Sequence, residues 1–240
     1  MPKRRYADLH IKITDEGDPP ELLIKMARHL GFSLIALSVE SFHKLKLLEP
    51  LKKLGDNLGL DIAFRLDLRP SNPNDLKFYL RKFRRKIEII AVYCHNVAIA
   101  RIAARDRRVD ITFYNPENML SIFDEGQVSL LIESGHYVEV NLSDLLHESS
   151  DKQARILWNY RRALGNAKKK GIPIIFSSGS SKIIDMRAPR ELSALASIII
   201  DDDPLAKNAV SITPMKLVQV NREKLSPRYV QPGVKVVNEW

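Results

Sequence analysis

Strand-like and helix-like segments alternate along almost the whole chain, and few folds accommodate that rhythm. Tyr6–Ile11 reads as a strand and Pro20–Leu30 as a helix closed by Gly31. Phe32–Val39 is the next strand, and His43–Leu58 a helix with Leu45, Leu48, Leu51 and Leu54 on one stripe. Ile62–Leu68, Ile87–Tyr93, Val109–Phe113, Tyr137–Leu142 and Ile172–Phe176 continue the strands. Helices are expected over 74–82, 95–105 and 152–170, and again from Pro189, which suits a first helical turn. Met119–Ser134 holds one or two helical turns, and within it Val128–Ile132 fits either type. About seven βα units with short connectors imply a parallel sheet with helices outside it. The unbroken repeat favours closure into a TIM-like barrel. No glycine-rich dinucleotide fingerprint follows the first strand, which weighs against a Rossmann domain. Beyond Ile212 the rhythm breaks, and Pro214, Pro227 and Pro232 appear. The expected division is a barrel over 1–211 and a helix with an extended tail over 212–240.

A length of 240 residues suits one α/β barrel, and no apolar run approaches the ~20 residues of a membrane span. The basic start, Met1-Pro-Lys-Arg-Arg-Tyr6, leads straight into Ala7-Asp8-Leu9-His10 without a signal-type apolar segment, so a cytoplasmic location is expected. Cys94 is the only cysteine, which rules out an internal disulfide and a cysteine-rich zinc module. The net charge of +9 is unevenly spread. Lys77 to Arg108 carries ten Lys or Arg against Glu88 and Asp106, and Lys152 to Lys170 carries seven with no acid. Two concentrated cationic segments point to a polyanionic partner, although solvated helix faces would look similar.

Functional groups of such barrels collect at the C-terminal ends of the strands. Asp8 and His10 lie two apart in the first strand and are expected on one side of it. Glu40 closes the second strand, Asp67 lies in the third, His95 follows the fourth and His136 precedes the sixth. A ring of carboxylates and imidazoles is what a metal-dependent phosphoesterase needs to activate water and neutralise phosphate charge. The ring is incomplete, and Asp8, His10 and Glu40 are only weak metal candidates. Serine-based catalysis has little support, because Ser178-Gly179 lacks a nucleophile-elbow pattern.

Arginines offer more. Arg101 and Arg105 stand four apart, as do Lys77 and Arg81; Arg84, Arg85 and Lys86 cluster after one helix, and Arg107 and Arg108 after the next. Forked guanidinium groups bind phosphate oxygens in pairs and can track a folded nucleic-acid backbone. Without an aromatic motif for base stacking, shape and phosphate readout of structured RNA is expected. After the last strand, Ser177, Ser178 and Gly179 are expected to turn the backbone sharply and leave N–H groups open beside Lys182, Arg187 and Arg190, a setting suited to phosphate.

That last segment, Phe176-Ser-Ser-Gly-Ser-Ser-Lys182 followed by Asp185-Met-Arg-Ala-Pro-Arg-Glu-Leu192, resembles the corresponding loop of the ribonuclease P protein component three family. The resemblance runs from about Tyr6 to Ser211, through Phe64-Arg-Leu-Asp67, the Arg101–Asp110 basic turn, Asp110-Ile-Thr-Phe-Tyr-Asn-Pro116 and Tyr137-Val-Glu-Val-Asn141. It implies a barrel related to polymerase-and-histidinol-phosphatase (PHP) domains. PHP domains open on an H-x-H pair and use a late D-x-H pair, where this chain has Asp8-Leu-His10 and Ser177-Ser-Gly179. Membership implies a subunit without catalytic residues of its own. It would support the ribonuclease P RNA in removing 5′ leaders from precursor tRNA, beside a small ferredoxin-like protein and other subunits, with Mg2+ used by the RNA. The RNA-binding residues expected are Arg65, Arg81, Arg84, Arg85, Arg101, Arg105, Arg107, Arg108, Lys182, Arg187 and Arg190. A metal-dependent phosphoesterase on the same fold and a basic scaffold for another structured RNA are the alternatives.

Overall fold

A computed structural model describes residues 4–231 and 234–235. Seven parallel strands run in sequential order: β1 (Ala7–Lys12), β2 (Leu34–Val39), β3 (Asp61–Leu68), β4 (Ile89–Cys94), β5 (Ile111–Tyr114), β6 (Tyr137–Asn141) and β7 (Ile174–Ser177). The intervening helices are α1 (Pro20–Leu30), α2 (Phe42–Leu48), α3 (Leu51–Leu58), α4 (Pro73–Phe83), α5 (Val97–Arg105), α6 (Met119–Ile122), α7 (Glu125–Ser134) and α8 (Ser150–Lys169). After β7 come α9 (Pro189–Ile200), α10 (Asp203–Ala209) and α11 (Ile212–Leu225), then the hairpin strands β8 (Tyr229–Gln231) and β9 (Val234–Lys235). The result is a nearly closed TIM-like α/β barrel, as the βα rhythm leads one to expect.

Two cores follow from strand alternation. Ile35, Leu37, Ile62, Leu66, Ile90 and Val92 face outward and pack under the helices with Leu23, Leu76 and Ile99. Leu34, Ala36, Ala63, Ile89, Ala91 and Ile111 face inward and fill the lower half of the barrel. Leu217 and Val218 of α11 join that inner core, so this helix plugs the N-terminal end of the barrel. Asn221 donates to Glu88 O, and Arg222 bonds Glu88 and both carboxylate oxygens of Asp61. The expected division at 211/212 therefore does not separate two packing units, and residues 232–233 and 236–240 of the expected tail lie outside the described residues. Among the described residues no helix is long and apolar enough to cross a membrane.

Two expectations about elements change. The single helix over 43–58 is broken into α2 and α3 at Glu49-Pro50, because Pro50 has no N–H to continue the ladder. The ambiguous Val128–Ile132 is helical, inside α7, which Asp124 caps by accepting from Gln127 N.

Candidate functional site

The upper half of the barrel interior is polar, and a bulge in β1 decides what enters it. Asp8 pairs with Ile35 but Ile11 with Leu37, so Leu9 and His10 together oppose Ala36. Ala7, Leu9 and His10 consequently face inward, while Asp8 and Ile11 face outward. The expectation that Asp8 and His10 share a side fails here. Asp8 instead reaches the seam between β1 and β7, where its Oδ1 accepts from Ser178 N and His10 N at 3.1 Å.

At the centre of the interior stands Arg65, fully buried. Its Nε donates to Asp67 Oδ1 at 2.6 Å, Nη1 and Nη2 to the two carboxylate oxygens of Glu139 at 2.7 and 2.6 Å, and Nη1 to Leu9 O at 3.0 Å. Ser38 donates to Asp67 Oδ2, and Ser177 to Glu139 Oε1 at 2.8 Å. His10 Nδ1 bonds Asn141 Oδ1 at 2.8 Å, and Nε2 lies 2.9 Å from Asp67 Oδ2, off the direction of an in-line hydrogen bond. Burial raises the Asp67 and Glu139 carboxyl groups, but Arg65 and His10 outweigh it and hold both low, Glu139 at about 2. For His10, burial and Arg65 oppose the charged form, yet Asp67 and Glu139 prevail and push its pKa up.

This arrangement does not suit the metal centre that a PHP-like fold implies. Glu40 points to solvent and pairs with Arg69 at 2.7 Å. His95 is exposed and stacks on Tyr93. His136 lies at the opposite end of the barrel, before β6. Among the described residues no group of three or more His, Cys, Asp or Glu could hold a metal ion. The guanidinium of Arg65 stands between the remaining carboxylates where a cation would have to be. Its burial also corrects the expectation that Arg65 binds RNA, since Asp67, Glu139 and Leu9 O engage it and no phosphate can reach it.

The serine loop after β7 is closed as well. Ser177 and Ser178 are fully buried, and Ser180 is 1% exposed. Gly179 takes φ 65°, and an added Cβ would collide with Ser143 Oγ and the Asn141 side chain. Ser178 N, expected to be open, donates to Asp8, and nearby Ser180 N and Ile183 N donate to Ser178 Oγ and Asp18. At the start of α9, Ala188 N donates to Glu191. Arg187 folds back to donate to Ile184 O and Met186 O, whereas Lys182 and Arg190 are exposed. The loop stitches β7 to β1, with Ser177, Ser178 and Ser180 buried rather than open to phosphate.

The remaining cations sort by partner. Arg101 grips both oxygens of Asp124 at 2.6 Å and also Gln127; Arg108 holds Asp106 through two bonds; Arg84 holds Asp110 at 2.6 Å. Lys168 donates to Asp201 O at 2.9 Å and so is fastened to the end of α9. Arg81, Arg85, Arg105 and Arg107 are exposed and, among the described residues, have no carboxylate partner. They occupy the last turns of α4 and α5 and the turns into β4 and β5, at the N-terminal end of the barrel. Helix C-termini favour cations through the macrodipole, but that accounts for one or two per helix rather than the run from Arg81 to Lys86. Lys182, Arg187 and Arg190 lie at the C-terminal end, so the expected RNA-binding residues do not form one surface.

Fold and site together define a class: a TIM-like α/β barrel of PHP and amidohydrolase architecture, with an arginine at its polar heart and a basic base. Histidinol phosphate phosphatase from Lactococcus lactis, solved with zinc, L-histidinol and phosphate, shares the fold at TM-score 0.58 and 12% identity, covering 82% of this chain and 93% of that one. A chain in the cryo-EM structure of archaeal ribonuclease P with mature tRNA superposes at TM-score 0.82 and 22% identity, covering 97% and 98%. The family model described as RNase P subunit p30 matches residues 5–226. Ribonuclease P protein component 3 of Methanococcoides burtonii is 31% identical over 237 residues, 98% of this chain and 95% of that protein. The protein of the same name from Methanosarcina mazei is 28% identical over 238 residues, 99% and 98% respectively. The chain belongs to the RNase P subunit p30 family. Its role is that of a protein subunit of a tRNA-processing endoribonuclease.

Proposed function

We propose that the chain supports the ribonuclease P RNA as a non-catalytic subunit and meets RNA through the N-terminal end of its barrel. The observation that carries this reading is the group of unpaired arginines, Arg81, Arg85, Arg105 and Arg107, on two adjacent helices and their exits. Long side chains kept free of carboxylates on a surface that has acids available elsewhere suit phosphate oxygens. The polar interior supports the non-catalytic part of the reading, because its carboxylates are neutralised by Arg65 and its serines are buried. In this reading the partners are the ribonuclease P RNA, precursor tRNA, a small ferredoxin-like subunit and the other proteins of the assembly. Mg2+ serves the RNA, and the setting is the cytoplasm.

The test is RNA affinity measured against salt for the full-length chain. Changing Arg81, Arg85, Arg105 and Arg107 to Ala should lower the log–log salt slope by roughly 3 for four duplex contacts of which most are made. Changing the paired Arg101 and Arg108 should leave the slope unchanged. Equal effects from the two sets would refute the assignment. Recovery of RNAs other than ribonuclease P RNA and precursor tRNA with the protein from cells would favour a scaffold for another RNA.

A further inference from the structure

At the base of the barrel a cavity of about 120 Å³ opens between α11 and the turns into β5 and β6. Asp110, His136 and Asn221 line its interior, and Arg107, Gly135 and Lys224 its exposed rim. His136 is 3% exposed, and among the described residues neither ring nitrogen has a hydrogen-bond partner. Asn221 is fully buried; its Nδ2 donates to Glu88 O, which fixes the amide and leaves Oδ1 without a partner. Buried polar atoms are nearly always satisfied; Asn221 Oδ1 and one nitrogen of the neutral imidazole are acceptors that water can serve, while the ring's N–H is a buried donor left for an acceptor such as an anion oxygen.

Size and charge narrow what that is. The volume equals about four waters, well below the ~300 Å³ at which pockets begin to hold drug-sized ligands, so a nucleobase with its sugar is too large. Among the described residues Arg107 and Lys224 have no carboxylate partner, and they repel a metal ion. The single acid in the wall, Asp110, accepts through Oδ2 from Arg84 at 2.6 Å and from Ile90 N at 2.8 Å, and nearby Asp106 is held by Arg108. Burial holds the His136 imidazole down at about 4, with Lys224 adding to the effect and Asp106 opposing it. The neutral ring offers one N–H donor, and an anion between Arg107 and Lys224 completes it.

We propose that this cavity is an oxyanion site that seats a single phosphate group between His136, Arg107 and Lys224. Resting on the RNA-binding reading above, its source is a phosphate of an RNA backbone; free inorganic phosphate is the other source of the same chemistry.

The experiment follows the His136 ring by NMR in the full-length chain, labelled at histidine, with exposed His147 as internal reference. Inorganic phosphate is titrated first, then an RNA hairpin with a stem of about two helical turns. The proposal expects a saturable shift of His136 in both titrations, and an rise in its pKa as the anion arrives. Lys224→Met and Arg107→Ala should each weaken the response at least threefold, and neither depends on remaking the buried His136. A response to phosphate but not to RNA, with the RNA bound, keeps the site and rejects the backbone as its source. Response to phosphate with no RNA binding at all keeps the site and defeats the RNA-binding reading. If RNA binds while His136 responds to neither probe, water alone fills the cavity and the proposal is overturned.

Discussion

Replacing Arg65 by Met tests the view that the barrel's polar heart is held by one buried cation. The substitution keeps most of the side-chain volume but leaves Asp67 and Glu139 facing each other with only His10 between them. Wild-type Arg65 makes three charged bonds of 2.6–2.7 Å and one to Leu9 O at 3.0 Å, all without solvent. Removing one partner of such a buried set costs about 3–5 kcal/mol, against a typical total of ~5–15 kcal/mol. In a chain of this size that lowers Tm by roughly 6–20 °C. The pH dependence gives a second handle. In the wild type the Glu139 pKa is depressed from 4.5 to about 2, so its stabilisation is present above the unfolded value and is lost as pH falls from there through about 2. Without Arg65 both carboxyl groups lose the cation that holds them low, burial pushes them up, and protonation on acidification relieves their repulsion. The stability gap between Arg65→Met and wild type should therefore narrow from pH 8 to pH 5 in urea titrations followed by circular dichroism. A variant within about 1 kcal/mol of wild type at pH 8, or a gap that does not change with pH, would refute this account, since surface pairs contribute no more than that.

Gly179→Ala should destabilise the barrel by about 2–5 kcal/mol, read as a Tm loss, because a left-handed residue acquires a Cβ in contact with Ser143 and Asn141. Leu217→Ala should cost about 2–5 kcal/mol by opening a cavity under the inner core, and loss of cooperative unfolding after truncation at residue 211 would check the same plug. Arg187→Ala should alter precursor-tRNA cleavage less than Lys182→Ala with Arg190→Ala in a reconstituted holoenzyme at low Mg2+, since Arg187 is bound to its own loop. A larger loss for Arg187→Ala would return that side chain to the RNA-facing surface.

The barrel is legible in the sequence because apolar spacing and glycine or proline stops carry it, and both are local signals. Gly31, Gly59, Gly135 and Gly171 each end a helix in the left-handed conformation. The helix break at Pro50 and the phase change in β1 are local too, but the bulge leaves no mark in composition, so Asp8 and His10 looked like neighbours on one face. Partner choice is invisible along the chain. Nothing in the Arg101 to Arg108 run separates Arg101 and Arg108, which are tied to Asp124 and Asp106, from Arg105 and Arg107, which are not. Phe64-Arg-Leu-Asp67 did contain a readable hint, because an arginine inside an apolar strand two residues before an aspartate is placed to pair with it on one face. His136 is legible only as a member of the ring of carboxylates and imidazoles, and Asn221 not at all, since their shared cavity joins positions 85 residues apart through α11.

The seam between the first and last strands bears on how the chain is made. Each of β2 to β7 pairs in parallel with its predecessor in the sequence, and so can form as soon as its helix crossover is finished. Among the described residues the ring closes through bonds such as Asp8 to Ser178 N, Lys12 N to Ser180 O and Asp18 N to Ser181 O, which join segments far apart in the sequence. A nascent chain must therefore carry an open, curling sheet, with Asp8 bonded only locally to His10 N, until the segment around Ser178 has left the ribosome. At that point a few bonds convert a ribbon with two raw margins into a ring. Those bonds are also where the ring should first part under strain, so amide exchange at Ser178 should outpace exchange at the midpoints of β2 to β4.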